Sequence, residues 1–278
     1  MLSKTNTGVV KALDNNRNCI RSGTGGWRPG EGVFSHGYSM MDDLVGKKNY
    51  FKTLILNATG RLVSKDLADW IEAIYCCLSW PDPRIWCNHI GALAGSCRTS
   101  VVAGTTLGIL ANDSKAYGSR TLLDGIDFIQ SALLKKNSGL SIDDIIQPIA
   151  KAHRGKPKIT GYARPLAKGD ERLVTMEKLT NNLGFKPEDH LLFAYEIEQY
   201  LLKHYDEGMN INGYISAFFC DQGINRQEAY QIFAAMVMSG VTACYIETYN
   251  KPVNTFLPLR CSDIDYTGPP KRPVPKNQ

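Results

Sequence analysis

The sequence lacks the residue spacings that mark zinc sites. Its eight cysteines include no Cys-x-x-Cys pair, and its five histidines show no ligand spacing. Cys76 and Cys77 are neighbours on one amphipathic stretch, which suits reduced thiols in a cytoplasm better than a disulfide framework. We therefore expect a cytoplasmic protein with reduced cysteines and no metal site.

A strong charge of either sign is also missing. The formal charge is only +5, and three basic residues lie in the Pro-rich tail 268–278, which we predict to be disordered. This excess of positive charge is too small to indicate a nucleic-acid-binding surface.

The opening residues MLSKTNTGVVKALDNN are polar, so we expect no secretory leader. The apolar run 229–246 includes Gln231, Ser239 and Thr242, and we interpret it as a buried helix rather than a membrane span.

Regular strand alternation is absent as well, whereas helical spacing is common. After Ser64, apolar residues at helical spacing predict a helix that ends before Pro81. Pro187 predicts the start of a helix that runs to Tyr205. With 43% apolar residues the chain can bury a large core, so we predict an all-α fold. The residues available for the inner face of the helix after Pro187 are Leu191, Leu192, Tyr195, Leu201 and Leu202.

Capping signatures mark two further helix starts. Ser141 with Asp144 has the spacing of a capping box, and so has Asn225 with Glu228. The second pair precedes an apolar helix that we predict over residues 226–248.

Small residues dominate the stretch CNHIGALAGSCRTSVVAGTTLGILAND. Gly91 and Gly95 stand four residues apart, as do Gly104 and Gly108. Residues four apart share one helix face, so another helix can approach this backbone closely, within the chain or across a dimer.

The stretch KITGYARPLAKGDERL, residues 158–173, combines two glycines, one proline and six charged residues. Arg164 can hold a carboxylate or stabilise a developing negative charge, because a guanidinium is a permanent cation. Arg172 can pair with Asp170 or bind a second carboxylate. The alternative is that these residues are solvated loop charges.

Four stretches, in order, resemble the citrate synthase superfamily, particularly its short citryl-CoA-lyase-like members. Residues 36–62 resemble its Arg-Gly-Tyr turn, Phe-led helix and Gly-x-Leu exit. Residues 91–119 resemble the small-residue helix before its His-Gly-Gly turn. GYARPLAKGDER, residues 161–172, is similar to its Gly-Phe-Gly-His-Arg loop followed by Asp-Pro-Arg. Residues 233–270 resemble its closing helix and Tyr-Thr-Gly end.

The resemblance implies a citrate synthase-like subunit with a large and a small helical domain. It also implies a homodimer and a cleft for a CoA thioester and a keto acid. The divisions expected on this basis are an N-terminal arm at 1–30, the first part of the large domain at 31–158, the small domain with the active-site loop at 159–225, the closing helix and C-terminal strand or loop of the large domain at 226–267, and the tail at 268–278.

The family's chemistry takes a proton from carbon beside a thioester, so it needs a base and donors to the two carbonyl oxygens. An aspartate and two histidines fill these roles in the family. Carried over, the histidines fall on Tyr117 and Arg164, and the aspartate falls on Asn212. A substrate-holding histidine falls on Asp82, which becomes the candidate replacement base, and a substrate arginine falls on Val237.

All five positions differ from the family, and four of the replacements are polar. An amide such as that of Asn212 has no basic lone pair for a carbon-bound proton. Tyr117 can still donate a hydrogen bond, and Arg164 can hold an oxyanion. This pattern favours drift in function over decay.

Further contacts follow from the resemblance. His36 stands where the family has an arginine, and both a structural hydrogen-bonding role and a substrate contact are alternatives for it. The residues predicted to bind the carboxylate substrate are Arg172, Arg260 and His36. Those predicted to bind CoA are Lys168, at a phosphate, with Gly161, Tyr162 and Lys158.

The leading hypothesis is an enzyme with non-standard catalytic residues that makes or breaks a carbon–carbon bond between a CoA thioester, acetyl- or malonyl-CoA, and a keto acid. A malonyl donor would need no proton abstraction, because loss of carbon dioxide generates the enolate. The alternative is a non-catalytic homologue that binds an acyl-CoA or organic acid, or that pairs with a catalytic paralogue. A dimer without any ligand is a third possibility. Neither nucleic acid nor a membrane is an expected partner.

Overall fold

A computed structural model describes residues 7–162, 169–236 and 238–274 of the chain. It consists of 58% helix and 5% strand, which confirms the predicted all-α class. The helices are α1 Thr7–Asn15, α2 Tyr50–Thr59, α3 Lys65–Leu78, α4 Trp86–Ser96, α5 Val101–Asn112, α6 Thr121–Asn137, α7 Ile142–Ala152, α8 Glu171–Asn182, α9 Asp189–Tyr205, α10 Ile211–Asp221, α11 Arg226–Ala234 and α12 Met238–Tyr249.

A small antiparallel sheet lies near the N-terminus, with strand order β1-β2-β3. Its strands are Gly25–Arg28, Gly32–Ser35 and Tyr38–Ser39, and a short π-helical turn over Met40–Leu44 follows. The register pairs Gly25 with Ser35 in β1 and β2. The sequence did not reveal these strands, because strands of two to four residues are too short to show alternation.

The chain forms two compact units, which we call the larger and the smaller unit. The larger unit comprises Met1–Leu78 and Asp113–Met236, and the smaller one comprises Ser79–Asn112 and Val237–Gln278. These units divide the chain at other positions than the domains expected from the resemblance, since α4 and α5 pack together with α12. The domain boundaries themselves stay a prediction.

A buried tryptophan organises the core of the larger unit. The Ser64 side chain accepts from the Leu67 N–H at 3.1 Å, which confirms the predicted start of α3. The Trp70 ring of this helix stacks on Phe218 of α10, with ring centroids 3.9 Å apart. Its Nε1 donates to Thr180 Oγ1 of α8 at 2.8 Å. One fully buried side chain thus ties three helices together.

The two capping boxes are confirmed at α7 and α11. The single helix predicted over 226–248 was wrong, because the regular helix stops after Ala234 and resumes at Met238. By length and composition alone, the stretch Arg226–Tyr249 is apolar enough to cross a membrane. Half of its most apolar window is buried in the protein, as in a core helix.

Helix α9 begins two residues after Pro187. Its N-terminus is capped by Asp221 of α10, whose carboxylate accepts from the N–H groups of His190 at 3.0 Å and Leu191 at 3.1 Å. Part of the predicted inner face was wrong, since Leu192 is 51% and Leu202 50% exposed. The buried stripe follows helical spacing and consists of Leu191, Phe193, Ala194, Ile197 and Leu201.

Close helix packing defines the smaller unit. A Cβ atom added at Gly95 of α4 would lie 2.5 Å from Thr248 Oγ1 of α12, and closer still to the Tyr245 carbonyl. A Cβ atom at Gly91 would lie 2.8 Å from the Val241 carbonyl oxygen. The prediction that another helix approaches these glycines is therefore confirmed within one chain.

We predict that Gly95→Ala lowers the free energy of unfolding by about 1–3 kcal/mol, the usual cost of overpacking, because the new methyl group meets backbone atoms. Urea unfolding followed by circular dichroism measures the change. Gly23→Ala is the matched control, since nothing lies within 4 Å of an added Cβ there. Equal stability of the two variants would contradict the close packing.

Candidate functional site

Tyr117 and Gly118 lie in the turn that leads into α6. Gly118 has a φ of 83°, in the left-handed region that favours glycine. Its carbonyl oxygen accepts from the Thr121 N–H at 3.2 Å and from the Thr121 hydroxyl at 2.6 Å. The turn that the resemblance equates with a catalytic histidine is therefore fixed to the first residue of α6.

Asn212 is the second residue of α10. Its Nδ2 donates to Thr121 Oγ1 at 2.9 Å, and its Oδ1 accepts from Ser216 Oγ at 3.4 Å. The helix start is capped by Asn210, whose side-chain oxygen accepts from the Asn212 N–H at 2.9 Å. The structure thus brings Asn212 and the Tyr117–Gly118 turn together through Thr121.

The loop that carries Gly161 lies directly on the start of α10. Gly161 has a φ of 97°, and its carbonyl oxygen accepts from the Asn210 N–H at 2.9 Å. A Cβ atom at Gly161 would lie 2.6 Å from Gly213 Cα. Only a residue without a side chain allows this approach and this φ together.

Tyr162 anchors the same loop in the core. It forms a β-bridge with Met209, and its hydroxyl donates to the Ala194 carbonyl oxygen at 3.1 Å. Burial raises the pKa of Tyr162 far above its usual value. This position fits an anchor better than a direct CoA contact, whereas Lys158 is exposed at the surface. The CoA roles of both residues stay predictions.

Asp170 is a buried junction between two helices. It caps the start of α8, and its carboxylate accepts from Arg172 Nε at 2.7 Å and Nη2 at 2.6 Å. The same carboxylate accepts from the Ile211 N–H, at the first residue of α10, at 2.9 Å. Burial alone would raise the pKa of Asp170, but the Arg172 guanidinium and the Ile211 N–H hold it below its usual value.

Arg172 therefore pairs with Asp170, one of the two roles that the sequence left open. Its side chain is 25% exposed, whereas the Asp170 side chain is fully buried. The guanidinium neutralises a carboxylate that is buried away from solvent. Arg172 therefore stabilises the junction that Asp170 forms between the N-termini of α8 and α10. Its substrate contact stays a prediction.

A second carboxylate, that of Glu198, fixes the backbone just before α10. Glu198 of α9 accepts from the Met209 N–H at 2.9 Å. Burial raises the pKa of Glu198, although the Met209 N–H opposes this. Sequence reasoning missed both Glu198 and Thr121, because no motif marks either residue and their partners lie far away in the chain.

Asp82 belongs to the smaller unit and is engaged by Arg84. Its carboxylate accepts from Arg84 Nε at 3.0 Å and from the Arg84 N–H at 2.9 Å. These hydrogen bonds hold the pKa of Asp82 below its usual value. A carboxylate with a lowered pKa is a weaker base, so this geometry favours a structural role for Asp82 over the predicted catalytic one.

Two other predicted substrate ligands are exposed or structural. Arg260 lies in the smaller unit, where its backbone N–H donates to Asp263 Oδ2 at 2.7 Å. His36 adopts a φ of 49° in the turn between β2 and β3, and its ring lies beside Gly60. A substrate contact stays a prediction for both residues.

Three residues that the resemblance singles out lie outside the described ranges: Arg164, Lys168 and Val237.

The smaller unit carries an open groove of about 660 Å³. It is lined mostly by apolar atoms and includes the guanidinium that pairs with Asp82. None of the predicted site residues within the described ranges lines it. The lining residues are Pro83, Arg84, Trp86, His89, Ile90, Phe256 and Leu257.

We predict that Asp170→Asn lowers the free energy of unfolding at pH 7 by about 3 kcal/mol, as expected when one partner of a buried ion pair is removed. The folded protein protonates Asp170 less readily than the unfolded chain does. The stabilisation is therefore complete above the unfolded pKa of about 3.9, and it is lost as the pH falls through the folded value.

Urea unfolding between pH 3 and pH 7 tests this expectation. Asp189→Asn is the control, because Asp189 is an exposed acid at the start of α9 and its loss should cost less than about 1 kcal/mol. A difference between wild type and Asp170→Asn that does not change with pH would show that the charge of Asp170 is not what stabilises the junction.

Known structures share the architecture of this chain, although sequence comparison finds no match. No protein-family model matches the sequence, and no curated protein matches it. Citryl-CoA lyase from Hydrogenobacter thermophilus has a similar structure, with a TM-score of 0.75 and 22% identity over 92% of this chain and 97% of that one.

Two further structures extend the likeness. ATP citrate lyase from Methanothrix soehngenii, in complex with citrate and coenzyme A, gives a TM-score of 0.75 at 16% identity, over 96% of this chain and 45% of that one. Citrate synthase from Thermotoga maritima gives 0.62 at 18% identity, over 81% and 59%. The chain therefore has the citrate synthase fold, which confirms the predicted resemblance at the level of the fold.

Proposed function

We propose that the chain is a citrate synthase-like enzyme that makes or breaks a carbon–carbon bond between a CoA thioester and a keto acid, with non-standard catalytic residues. One observation supports this most strongly. On a fold shared with citryl-CoA lyase, the Asn212 amide and the Tyr117–Gly118 turn meet through Thr121. In the alignment that the resemblance implies, Asn212 stands where the family has its aspartate and Tyr117 where it has a histidine, and both can donate to an oxyanion.

The chemistry of these groups favours an acyl donor that forms its enolate without the removal of a carbon-bound proton. Asn212 offers N–H donors and no base, and Tyr117 offers a hydroxyl. With malonyl-CoA, the bond to the carboxylate carbon breaks, carbon dioxide leaves and the electron pair forms the enolate. The enolate carbon then attacks the ketone carbonyl, and the resulting alkoxide takes a proton from water. Donors at the two oxygens are sufficient for this route.

The remaining predicted residues complete the proposal. Arg164 holds the keto acid or the developing charge, with Arg172, Arg260 and His36 as further carboxylate contacts. Lys158 and Lys168 form the CoA side, Gly161 and Tyr162 support it by anchoring the chain beside it, and Asp82 stays a weaker candidate for a base. The proposal involves no metal.

Turnover of thioesters tests the proposal. With oxaloacetate as acceptor, we expect malonyl-CoA to be consumed at least about 100-fold faster than acetyl-CoA, since loss of a positioned base costs about 10²–10⁴-fold. Release of carbon dioxide from malonyl-CoA, loss of each thioester and product mass are measured, together with cleavage of citryl-CoA for the reverse direction. Tyr117→Phe is the matched variant and should lower kcat at least about 100-fold. Equal or zero consumption of all these thioesters would contradict the proposal.

A non-catalytic homologue that binds acyl-CoA or an organic acid, or that pairs with a catalytic paralogue, is the second candidate. It is favoured by the engagement of predicted catalytic and substrate groups, since Arg84 binds Asp82 and Asp170 binds Arg172. Thermal stabilisation by CoA thioesters or tricarboxylates without turnover would support it.

We also propose a homodimer formed through the smaller unit. Large apolar side chains on α4, α5 and α12 are exposed there, which is typical of an interface. They include Leu93, Val102, Leu107, Leu110 and Ile246, at 37%, 72%, 45%, 66% and 48% exposure. The cytoplasmic location stays a prediction.

Sedimentation velocity tests the dimer. Wild type is expected to sediment as a dimer and Leu110→Glu as a monomer, because the charge would be buried at the interface. Leu134→Glu is the control, since Leu134 is 70% exposed on α6 of the larger unit. A monomeric wild type at micromolar concentration would contradict this assignment.

A further inference from the structure

We infer that Thr121 is a positioning residue that fixes the orientation of the Asn212 amide and, through Gly118, the turn that carries Tyr117. The catalytic meaning of this inference rests on the proposed function. The geometric part does not, because it follows from the hydrogen bonds among these residues.

The proton of the Thr121 hydroxyl decides the arrangement. Thr121 Oγ1 lies 2.6 Å from the Gly118 carbonyl oxygen, which can only accept, so the hydroxyl donates its single proton there. The same oxygen lies 2.9 Å from Asn212 Nδ2 and must accept from it. The group that residue 212 presents to Thr121 is therefore an N–H donor.

The opposite side of the amide is equally restricted. Asn212 Oδ1 accepts from Ser216 Oγ at 3.4 Å, and a Cβ atom at Gly125 would lie 2.7 Å from that oxygen. Thr121 and Gly125 are four residues apart and share one face of α6, as Asn212 and Ser216 do on α10. The amide is held between these two helix faces and has little room to turn over.

This arrangement matches an amide at position 212 and disfavours a carboxylate. An ionised carboxylate only accepts hydrogen bonds, so it would need the Thr121 proton that the Gly118 carbonyl now receives. The pairing of Thr121 with Asn212 therefore couples the identity of residue 212 to the geometry of the Tyr117 turn. The sequence alone gives no sign of this coupling across 91 residues.

Two variants separate positioning from packing. Thr121→Val keeps the shape and removes both hydrogen bonds, whereas Thr121→Ser keeps the hydroxyl. The first readout is the side-chain amide signal of Asn212 in ¹H–¹⁵N NMR, assigned by its loss in Asn212→Asp. We expect this signal to move in Thr121→Val and to keep its position in Thr121→Ser.

The second readout is steady-state turnover of malonyl-CoA with oxaloacetate. We expect Thr121→Val to lower kcat by about tenfold or more, with KM for the thioester changed less than about twofold, because misplacement affects the chemical step more than binding. Thr121→Ser should stay within about threefold of wild type. A loss of packing alone would not be rescued by serine in this way.

The outcomes distinguish this inference from the proposed function. An unchanged Asn212 signal in Thr121→Val overturns the hydrogen-bond assignment. A changed signal with unchanged kcat overturns the positioning role. If wild type turns over no thioester, the proposed function fails, and the NMR result alone then supports or overturns the orientation of the amide by Thr121.

Discussion

The buried carboxylate of Asp170 is the interaction on which the described part of the site depends. It accepts from the Arg172 guanidinium, from the N-terminus of α8 and from the Ile211 N–H at the start of α10. A charge without water must be satisfied by partners of fixed geometry, so these three groups are held in one arrangement. Asn212 follows Ile211 directly, and its position is set by the same contact.

Other contacts add to this constraint from different directions. Glu198 accepts a hydrogen bond from the Met209 N–H, and the Gly161 carbonyl oxygen accepts one from the Asn210 N–H. Together with Ile211, each of the three residues before Asn212 is thus fixed by a separate part of the larger unit. Thr121 then joins the Asn212 amide to the Gly118 carbonyl oxygen, in the turn that carries Tyr117. In the proposed function, these contacts would hold the amide in place for an oxyanion.

Sequence reasoning predicted the features that local chemistry decides. The Ser64 cap, the two capping boxes and the small-residue helix face depend on residues three or four positions apart, and all are confirmed. The short strands at 25–39 and the break between α11 and α12 were missed, because neither leaves a periodic pattern.

The site was predictable only in part, for the same reason. The resemblance singled out Asn212 and the turn that carries Tyr117, and Thr121 bonds to both the Asn212 amide and the Gly118 carbonyl oxygen of that turn. Thr121 and Glu198 act through partners distant in sequence, so only the fold shows them. The engagement of Asp82 by Arg84 was also invisible, although only Pro83 separates them, because an Asp-Pro-Arg sequence does not determine which groups the side chains face.

A crystal structure with an acyl-CoA analogue bound would show which groups contact the thioester. We expect the thioester carbonyl oxygen to lie about 3 Å from the Tyr117 hydroxyl or Asn212 Nδ2, with no carboxylate of the chain within about 3.5 Å of the reacting carbon. An acyl group bound away from Asn212, or a carboxylate in contact with that carbon, would contradict it.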